Sequence, residues 1–162
     1  MTEDMRVGIG VDAHAFAEGR RLVLGGVEID HDRGLAGHSD ADVVCHAATD
    51  AILGAAGLED IGHLFPPGDP AYAGASSLAL LGEAWERVRS GGWELVNLDA
   101  VVVAEAPRLA PHREAMRVAV AAALGVEPAR VTVRATTTDG LGFTGRREGA
   151  ACHAVALLRR AG

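Results

Sequence analysis

The stretch RVGIGVDAH, residues 6–14, predicts the strand on which the rest of the fold is built. Its apolar residues are typical of a buried strand, yet it places Asp12 and His14 two positions apart. Residues i and i+2 of a strand point to the same side, so these two side chains are expected to converge. A carboxylate beside an imidazole is half of a site for zinc or another divalent cation. The alternative is a structural Asp–His hydrogen bond at the end of a strand.

A third candidate ligand, His46, lies in the middle of a helix predicted over residues 39–54. A ligand from a helix that joins two from a strand completes the three-ligand pattern of a reactive zinc site. Asp50 is then the expected partner that orients the imidazole. Considered alone, His46 is more simply interpreted as a solvated or core histidine.

The predicted helix begins at Ser39, a helix N-cap with Asp42 three positions later. A helix N-terminus offers free N–H groups to an anion, although a serine there is more often only a cap. His38 precedes it. A second polar segment, residues 135–149, combines three successive threonines, Asp139 and a glycine-rich turn with Arg146. Together these groups suit a phosphate ligand, although a plain hairpin is the commoner interpretation of such a turn.

Elsewhere, strands and helices alternate, which predicts a mixed α/β fold with a single mixed β-sheet and helices on one face. A glycine- and proline-rich loop, residues 57–77, contains enough apolar residues to fold over something. In the strand over 93–106, one face is expected to carry Val96, Leu98, Ala100 and Val102. Further helices are predicted at 75–90 and 111–124, with strands at 129–138 and 149–160 and two short strands around Gly25-Gly26.

Composition limits the possible functions. The 162 residues suit a single domain, residues 1–162, and a net charge of −7 with 4% aromatic residues argues against a nucleic-acid partner. The acidic N-terminus lacks the core of a signal peptide, and no apolar run has the ~20 residues of a membrane span. We therefore expect a cytoplasmic protein without a membrane partner, with Cys45 and Cys152 as buried thiols.

Five segments carry a resemblance to a known family: GVDAHAF (10–16), LGGVEI (24–29), 34–70, AEAPRLAPH (104–112) and 135–158. They are similar to the 2-C-methyl-D-erythritol 2,4-cyclodiphosphate synthase family of the non-mevalonate isoprenoid pathway. The resemblance implies a homotrimer with sheets toward the threefold axis and active sites between subunits. It also implies a metal-dependent lyase that cyclises 4-diphosphocytidyl-2-C-methyl-D-erythritol 2-phosphate and releases CMP.

The same resemblance assigns roles to residues. Asp12, His14 and His46 correspond to ligands of Zn²⁺ or another divalent transition metal, and Asp139 to the acid of a second site for Mg²⁺ or Mn²⁺. His38 and Thr137 correspond to catalytic contacts. Ser39 and Thr138 correspond to further substrate contacts. The substrate loop corresponds to Asp60, Ile61, Gly62, Phe65, Pro66, Pro67, Gly68 and Asp69, and the cytidine pocket to Ala104, Glu105, Ala106, Pro107, Arg108, Leu109, Ala110, Ala135 and Thr136. Phe143 and Arg146 correspond to positions at a threefold cavity that takes isoprenoid diphosphates in some members.

The chain departs from the family at three positions. Asp139 stands where glutamate is usual, Arg108 where lysine is common, and Arg147 where glycine is common. Two other functions remain open: a metal-dependent phosphohydrolase, and a non-catalytic trimer that binds isoprenoid diphosphates.

Overall fold

The computed structural model describes residues 4–162, so the first three residues of the acidic N-terminus lie outside it. The strands are β1 (Met5–Ala17), β2 (Leu22–Leu24), β3 (Val27–Ile29), β4 (Gly34–Leu35), β5 (Trp93–Val103), β6 (Val131–Thr136) and β7 (Gly149–Arg160). Five of them form a mixed sheet with the order β4-β1-β7-β5-β6, in which only β5 and β6 run parallel. The two short predicted strands, β2 and β3, form a separate hairpin, which corrects the expected single sheet.

Three longer helices cover one face of the sheet, as predicted: the first packs on β1 and β7, and the others on β5 and β6. Within residues 4–162, no helix is both long enough and apolar enough to cross a membrane. The helices are α1 (Val43–Ala55), α2 (Ile61–Leu64), α3 (Ser77–Ser90), α4 (Arg113–Leu124) and α5 (Gly142–Gly145).

Two glycines of β1 allow α1 to lie directly against the strand backbone. A Cβ atom on Gly10 would stand 1.9 Å from the carbonyl oxygen of Ala47, and one on Gly8 would stand 2.1 Å from that of Ala51. Neither position has room for a side chain. This close approach brings His46, which precedes Ala47 on the helix, next to the polar end of β1.

The opposite face of β1 is apolar and exposed. Val7 and Ile9 are 68% and 66% exposed, and Met5, Val11 and the neighbouring Val155 on β7 are also exposed. The prediction of a buried strand is therefore wrong for one face of β1 in the single chain, because helices cover only the other side of the sheet.

The first helix starts four residues later than predicted. Ala41 has φ +58°, a left-handed conformation that interrupts the helix, and the N-cap is Asp42 instead of Ser39. The Asp42 carboxylate accepts N–H groups from Val44 and Cys45, so the helix N-terminus is not free to bind an anion. The same carboxylate also accepts the N–H groups of the Gly25-Gly26 turn, and burial raises its pKa despite these bonds.

A β-bulge changes the predicted face of β5. The register against β7 shifts between Leu95 and Asn97, so Leu95 is buried while Val96 is turned out of the core. Leu98, Ala100 and Val102 are buried as expected. Both cysteines are confirmed as buried free thiols, and burial raises the pKa of each.

Candidate functional site

The polar end of β1 and the adjoining turn of α1 bring three potential ligands together. Asp12 Oδ2 lies 3.1 Å from His14 Nε2 and 3.1 Å from His46 Nδ1. Among residues 4–162, this is the one group of three or more His, Cys, Asp or Glu side chains close enough to hold a metal ion. The side chains are only 14–23% exposed, so the predicted convergence is confirmed.

Hydrogen bonding directs the lone pair of His14 toward Asp12. His14 Nδ1 lies 2.7 Å from the carbonyl oxygen of Ala36, which only accepts, so Nδ1 carries the proton. In neutral His14, Nε2 then has a free lone pair that faces the Asp12 carboxylate. Two groups with lone pairs at 3.1 Å require a cation between them, either a proton or a metal ion.

The ionisation of this pair agrees with that geometry. The hydrogen bond to Asp12 raises the pKa of His14 above its ordinary value, against the opposing effect of burial. Burial disfavours the charged form of Asp12, but hydrogen bonds from His14 and His46 outweigh it and lower the pKa of the carboxyl. The site therefore stabilises a negative carboxylate beside a positive charge.

A cavity of about 210 Å³ opens beside the two histidines. It is lined by several predicted residues from the helix entry and the substrate loop, so the structure brings these two groups together. Tyr72 and Leu80 also line it and were not predicted. The predicted lining residues are His14, His38, Ser39, His46, Ile61, Gly62, Phe65, Pro66 and Pro67.

The loop after α1 is ordered by its own short helices. Asp60 caps α2 and accepts the N–H of His63, while Asp50 accepts the N–H of Ile61 at 2.7 Å. Asp50 therefore anchors the loop to α1, and its predicted role as the partner that orients His46 is wrong. Burial raises the pKa of the Asp50 carboxyl.

His38 connects the helix entry to this loop. Its Nε2 donates to the carbonyl oxygen of Asp69 at 2.9 Å, and the ring is exposed. Farther along, Phe65 packs edge-on against Tyr72 with ring centroids 5.3 Å apart. These contacts hold the loop over the cavity, as its apolar residues predicted.

The other predicted group lies at the same end of the sheet but on different strands. Ala13, Ala151, Val103 and Thr136 form one row across β1, β7, β5 and β6. Three strand spacings separate the ends of this row by about 14 Å. Thr137 and its neighbours therefore do not line the cavity beside His14 within the single chain.

This second group is held by Glu105. Glu105 Oε1 accepts the N–H of Thr138 at 2.9 Å, which ties the turn after β6 to the segment after β5. Asp139 in that turn has φ +53°, a conformation that short Asp and Asn side chains tolerate better than most. The Thr137 hydroxyl lies 3.4 Å from Asp139 Oδ1.

The two residues predicted at a threefold cavity lie on and just after helix α5, since Phe143 is within it and Arg146 is its C-cap. Phe143 is 42% exposed, and Arg146 pairs with Glu148 at 2.8 Å. Arg147, one of the departures from the family, has φ +60°, where glycine is the least strained residue.

Sequence reasoning missed the hydroxyl closest to His46. Ser77 Oγ lies 2.8 Å from His46 Nε2, and Ser77 is buried at the start of α3. No local pattern connects two residues 31 positions apart, so only the packing of α3 on α1 reveals this contact.

Comparison with known proteins identifies the family of this chain. The model of the YgbB family matches residues 5–159. A curated 2-C-methyl-D-erythritol 2,4-cyclodiphosphate synthase from Rubrobacter xylanophilus is 64% identical over 159 residues, covering 96% of each chain. Another from Moorella thermoacetica is 59% identical, covering 95% of this chain and 94% of its own.

Among solved structures, IspF from Plasmodium falciparum in complex with CDP is 29% identical. The match covers all of both chains with a TM-score of 0.86. Family match, identity and fold agree over nearly the whole length, and this chain belongs to the YgbB family.

Proposed function

We propose that this protein cyclises 4-diphosphocytidyl-2-C-methyl-D-erythritol 2-phosphate to 2-C-methyl-D-erythritol 2,4-cyclodiphosphate and releases CMP. In chemical terms it is a metal-dependent phosphorus–oxygen lyase of isoprenoid precursor synthesis. The observation that carries the proposal is the convergence of Asp12, His14 and His46 beside the cavity, in a chain whose relatives bear the name of this synthase.

The triad suits Zn²⁺ or another divalent transition metal, because one carboxylate and two imidazole nitrogens leave a fourth position open. When bound, such an ion supplies Lewis acidity to a phosphoryl oxygen. Asp12, His14 and His46 hold it, and the ordered loop that carries Phe65 limits the access of water to the cavity.

The nucleophile, a phosphate oxygen, is already anionic at neutral pH, so the reaction needs no general base from the protein. The principal problem is repulsion between two phosphates in an in-line displacement. His38 and Thr137 are proposed to donate hydrogen bonds to the phosphoryl oxygens. Asp139 offers oxygen ligands to a second ion, Mg²⁺ or Mn²⁺, that shields the leaving group.

We further propose that the active site is completed by a second copy of the chain in a homotrimer. The group around Thr137 stands about 14 Å along the sheet from β1 in one subunit, too far for both to contact one diphosphate. The exposed apolar face of β1 and β7 is suited to burial against neighbouring sheets. A neighbouring subunit then supplies the Thr137 group to each cavity.

A charged residue on that face tests the assembly. Ile9→Glu is expected to leave a smaller species than a trimer of the 16.7 kDa chain, because burial of an unpaired carboxylate is costly. Sedimentation equilibrium measures the mass, and turnover is expected to fall with it. Val118→Glu on α4 is the control, since Val118 is also an exposed hydrophobic residue but lies outside this face. An Ile9→Glu protein of unchanged mass would contradict the proposed interface.

Product analysis tests the reaction. The purified protein is incubated with the cytidyl substrate, Zn²⁺ and Mg²⁺, and phosphorus NMR follows the products. CMP together with a cyclic diphosphate is expected. Inorganic phosphate without the cyclic product would indicate the phosphohydrolase instead, and the absence of turnover would favour a non-catalytic diphosphate-binding trimer.

A further inference from the structure

Two residues without an assigned role, Ser77 and Asp40, lie directly behind His46. Ser77 is 1% exposed, and its Oγ is 2.8 Å from His46 Nε2. Behind Ser77, Asp40 receives a hydrogen bond from the Ser77 hydroxyl and, through Oδ2, another from the Ser77 N–H at 3.1 Å. The imidazole of His46 therefore has Asp12 on one side and a serine–carboxylate pair on the other.

The positions of the protons follow from the kinds of groups present. An ionised Asp40 carboxylate only accepts, so the Ser77 hydroxyl proton points at Asp40. Ser77 Oγ then has only lone pairs for its remaining partners, and His46 Nε2 must donate to it. In neutral His46 this leaves the lone pair on Nδ1, the atom that lies 3.1 Å from Asp12 Oδ2.

The backbone holds Asp40 in this position independently of His46. The Asp40 N–H donates to the carbonyl oxygen of Ala75 at 3.2 Å, and the carbonyl oxygen of His38, two residues earlier, accepts the N–H of Gly74 at 2.9 Å. The entry to α1 and the entry to α3 are thus joined, so the carboxylate reaches Ser77 from a constrained backbone.

We propose that Asp40 and Ser77 form a relay that positions His46, fixing its Nε2–H tautomer and ring orientation so that Nδ1 is presented to a cation. The inference rests on the proposed metal site and adds two positioning residues to it. The Ala36 carbonyl oxygen accepts the proton of one ring nitrogen of His14 and so directs the other toward Asp12. Ser77 does the same for His46. Such partners commonly change metal affinity by about 10- to 100-fold.

The test compares Ser77→Ala with Ser76→Ala. Ser76 is the exposed N-cap of α3, and its hydroxyl accepts the N–H of Ala79 instead of contacting His46. Ser76→Ala therefore controls for the loss of a hydroxyl at the start of this helix. Competition with a chromophoric chelator measures the Zn²⁺ dissociation constant, and urea unfolding of the metal-free proteins checks their folding. Ser77→Ala is expected to weaken Zn²⁺ binding by about 10- to 100-fold. Ser76→Ala is expected to bind as the unmodified protein does.

Two further measurements identify the mechanism. Ser77→Thr, which keeps the hydroxyl, is expected to restore most of the affinity. Nitrogen-15 NMR of histidine-labelled, Zn²⁺-loaded protein is expected to show His46 protonated at Nε2, with that signal shifted in Ser77→Ala. If Ser77→Ala does not fold, Asp40→Asn is the test variant instead, and it is also expected to bind Zn²⁺ more weakly than the unmodified protein.

The outcomes separate the two proposals. If Ser77→Ala binds Zn²⁺ as tightly as the unmodified protein and its His46 NMR signal is unchanged, the proposed relay is overturned and the proposed metal site still stands. Failure of the unmodified protein to bind Zn²⁺ would overturn the metal site, and the relay with it.

Discussion

His46→Ala is expected to remove the bound metal ion and nearly all turnover. The substitution deletes one of three ligands and leaves Asp12 and His14, an incomplete set. Loss of a single electrostatic stabiliser already lowers rates by about 10²- to 10³-fold, so a drop of at least ~10³-fold in kcat is expected here. Metal analysis after dialysis and the release of CMP from the cytidyl substrate measure the two effects.

His63→Ala is the control for metal content. His63 is also a histidine but is 71% exposed on α2 and pairs with Glu59, so it is expected to leave the metal content unchanged. A His46→Ala protein that keeps both its metal and its rate would remove His46 from the ligand set.

Gly10→Ala is expected to destabilise the fold strongly. The added Cβ would stand 1.9 Å from the carbonyl oxygen of Ala47, a backbone atom, so β1 and α1 must move apart. Overpacking of a tight contact typically costs about 1–3 kcal/mol, and a clash with backbone belongs at the upper end. The same displacement separates His46 from Asp12, so metal affinity is also expected to fall.

Gly54→Ala provides a matched substitution at the same contact. A Cβ on Gly54 would meet its nearest atom, the Ile9 carbonyl oxygen, at 3.9 Å, an ordinary contact distance. Replacing a helical glycine by alanine stabilises the fold by up to about 1 kcal/mol. Gly54→Ala is therefore expected to raise the free energy of unfolding, whereas Gly10→Ala is expected to lower it. Urea unfolding at equal protomer concentration compares the two, since assembly contributes to apparent stability. Equal stability of Gly10→Ala and the unmodified chain would mean that α1 does not lie against β1 in this way.

Local sequence patterns predicted those parts of the site that depend on strand and helix periodicity. Asp12 and His14 converge because residues two apart on a strand share a face, a property that needs no tertiary information. The strand over Gly149–Arg160 has the predicted bounds, and the helix that ends at Leu124 has the predicted end, where Gly125 caps it, although it begins at Arg113 instead of Pro111. The start of α1 was misplaced because Ala41 adopts a left-handed conformation that no residue-type rule anticipates.

Side-chain partners were harder to predict than positions. Asp50, four residues from His46, was the natural choice to orient it, but its carboxylate accepts the N–H of Ile61 in the following loop. The groups that face His46 Nε2, the hydroxyls of Ser39 and Ser77, reach it because α3 packs on α1. Such contacts depend on the angle and register of two helices, which sequence spacing does not encode.

The sequence by itself predicted the three candidate metal ligands, the order of the elements and the family resemblance, because these depend on residue type and local periodicity. The tertiary structure decided which side of the sheet is covered, how closely α1 approaches β1, and that about 14 Å separates the Thr137 group from β1 within the chain. Those properties arise from packing between segments that are distant in sequence. Only that packing shows which glycines lie at a close helix–strand contact and which apolar face is left uncovered.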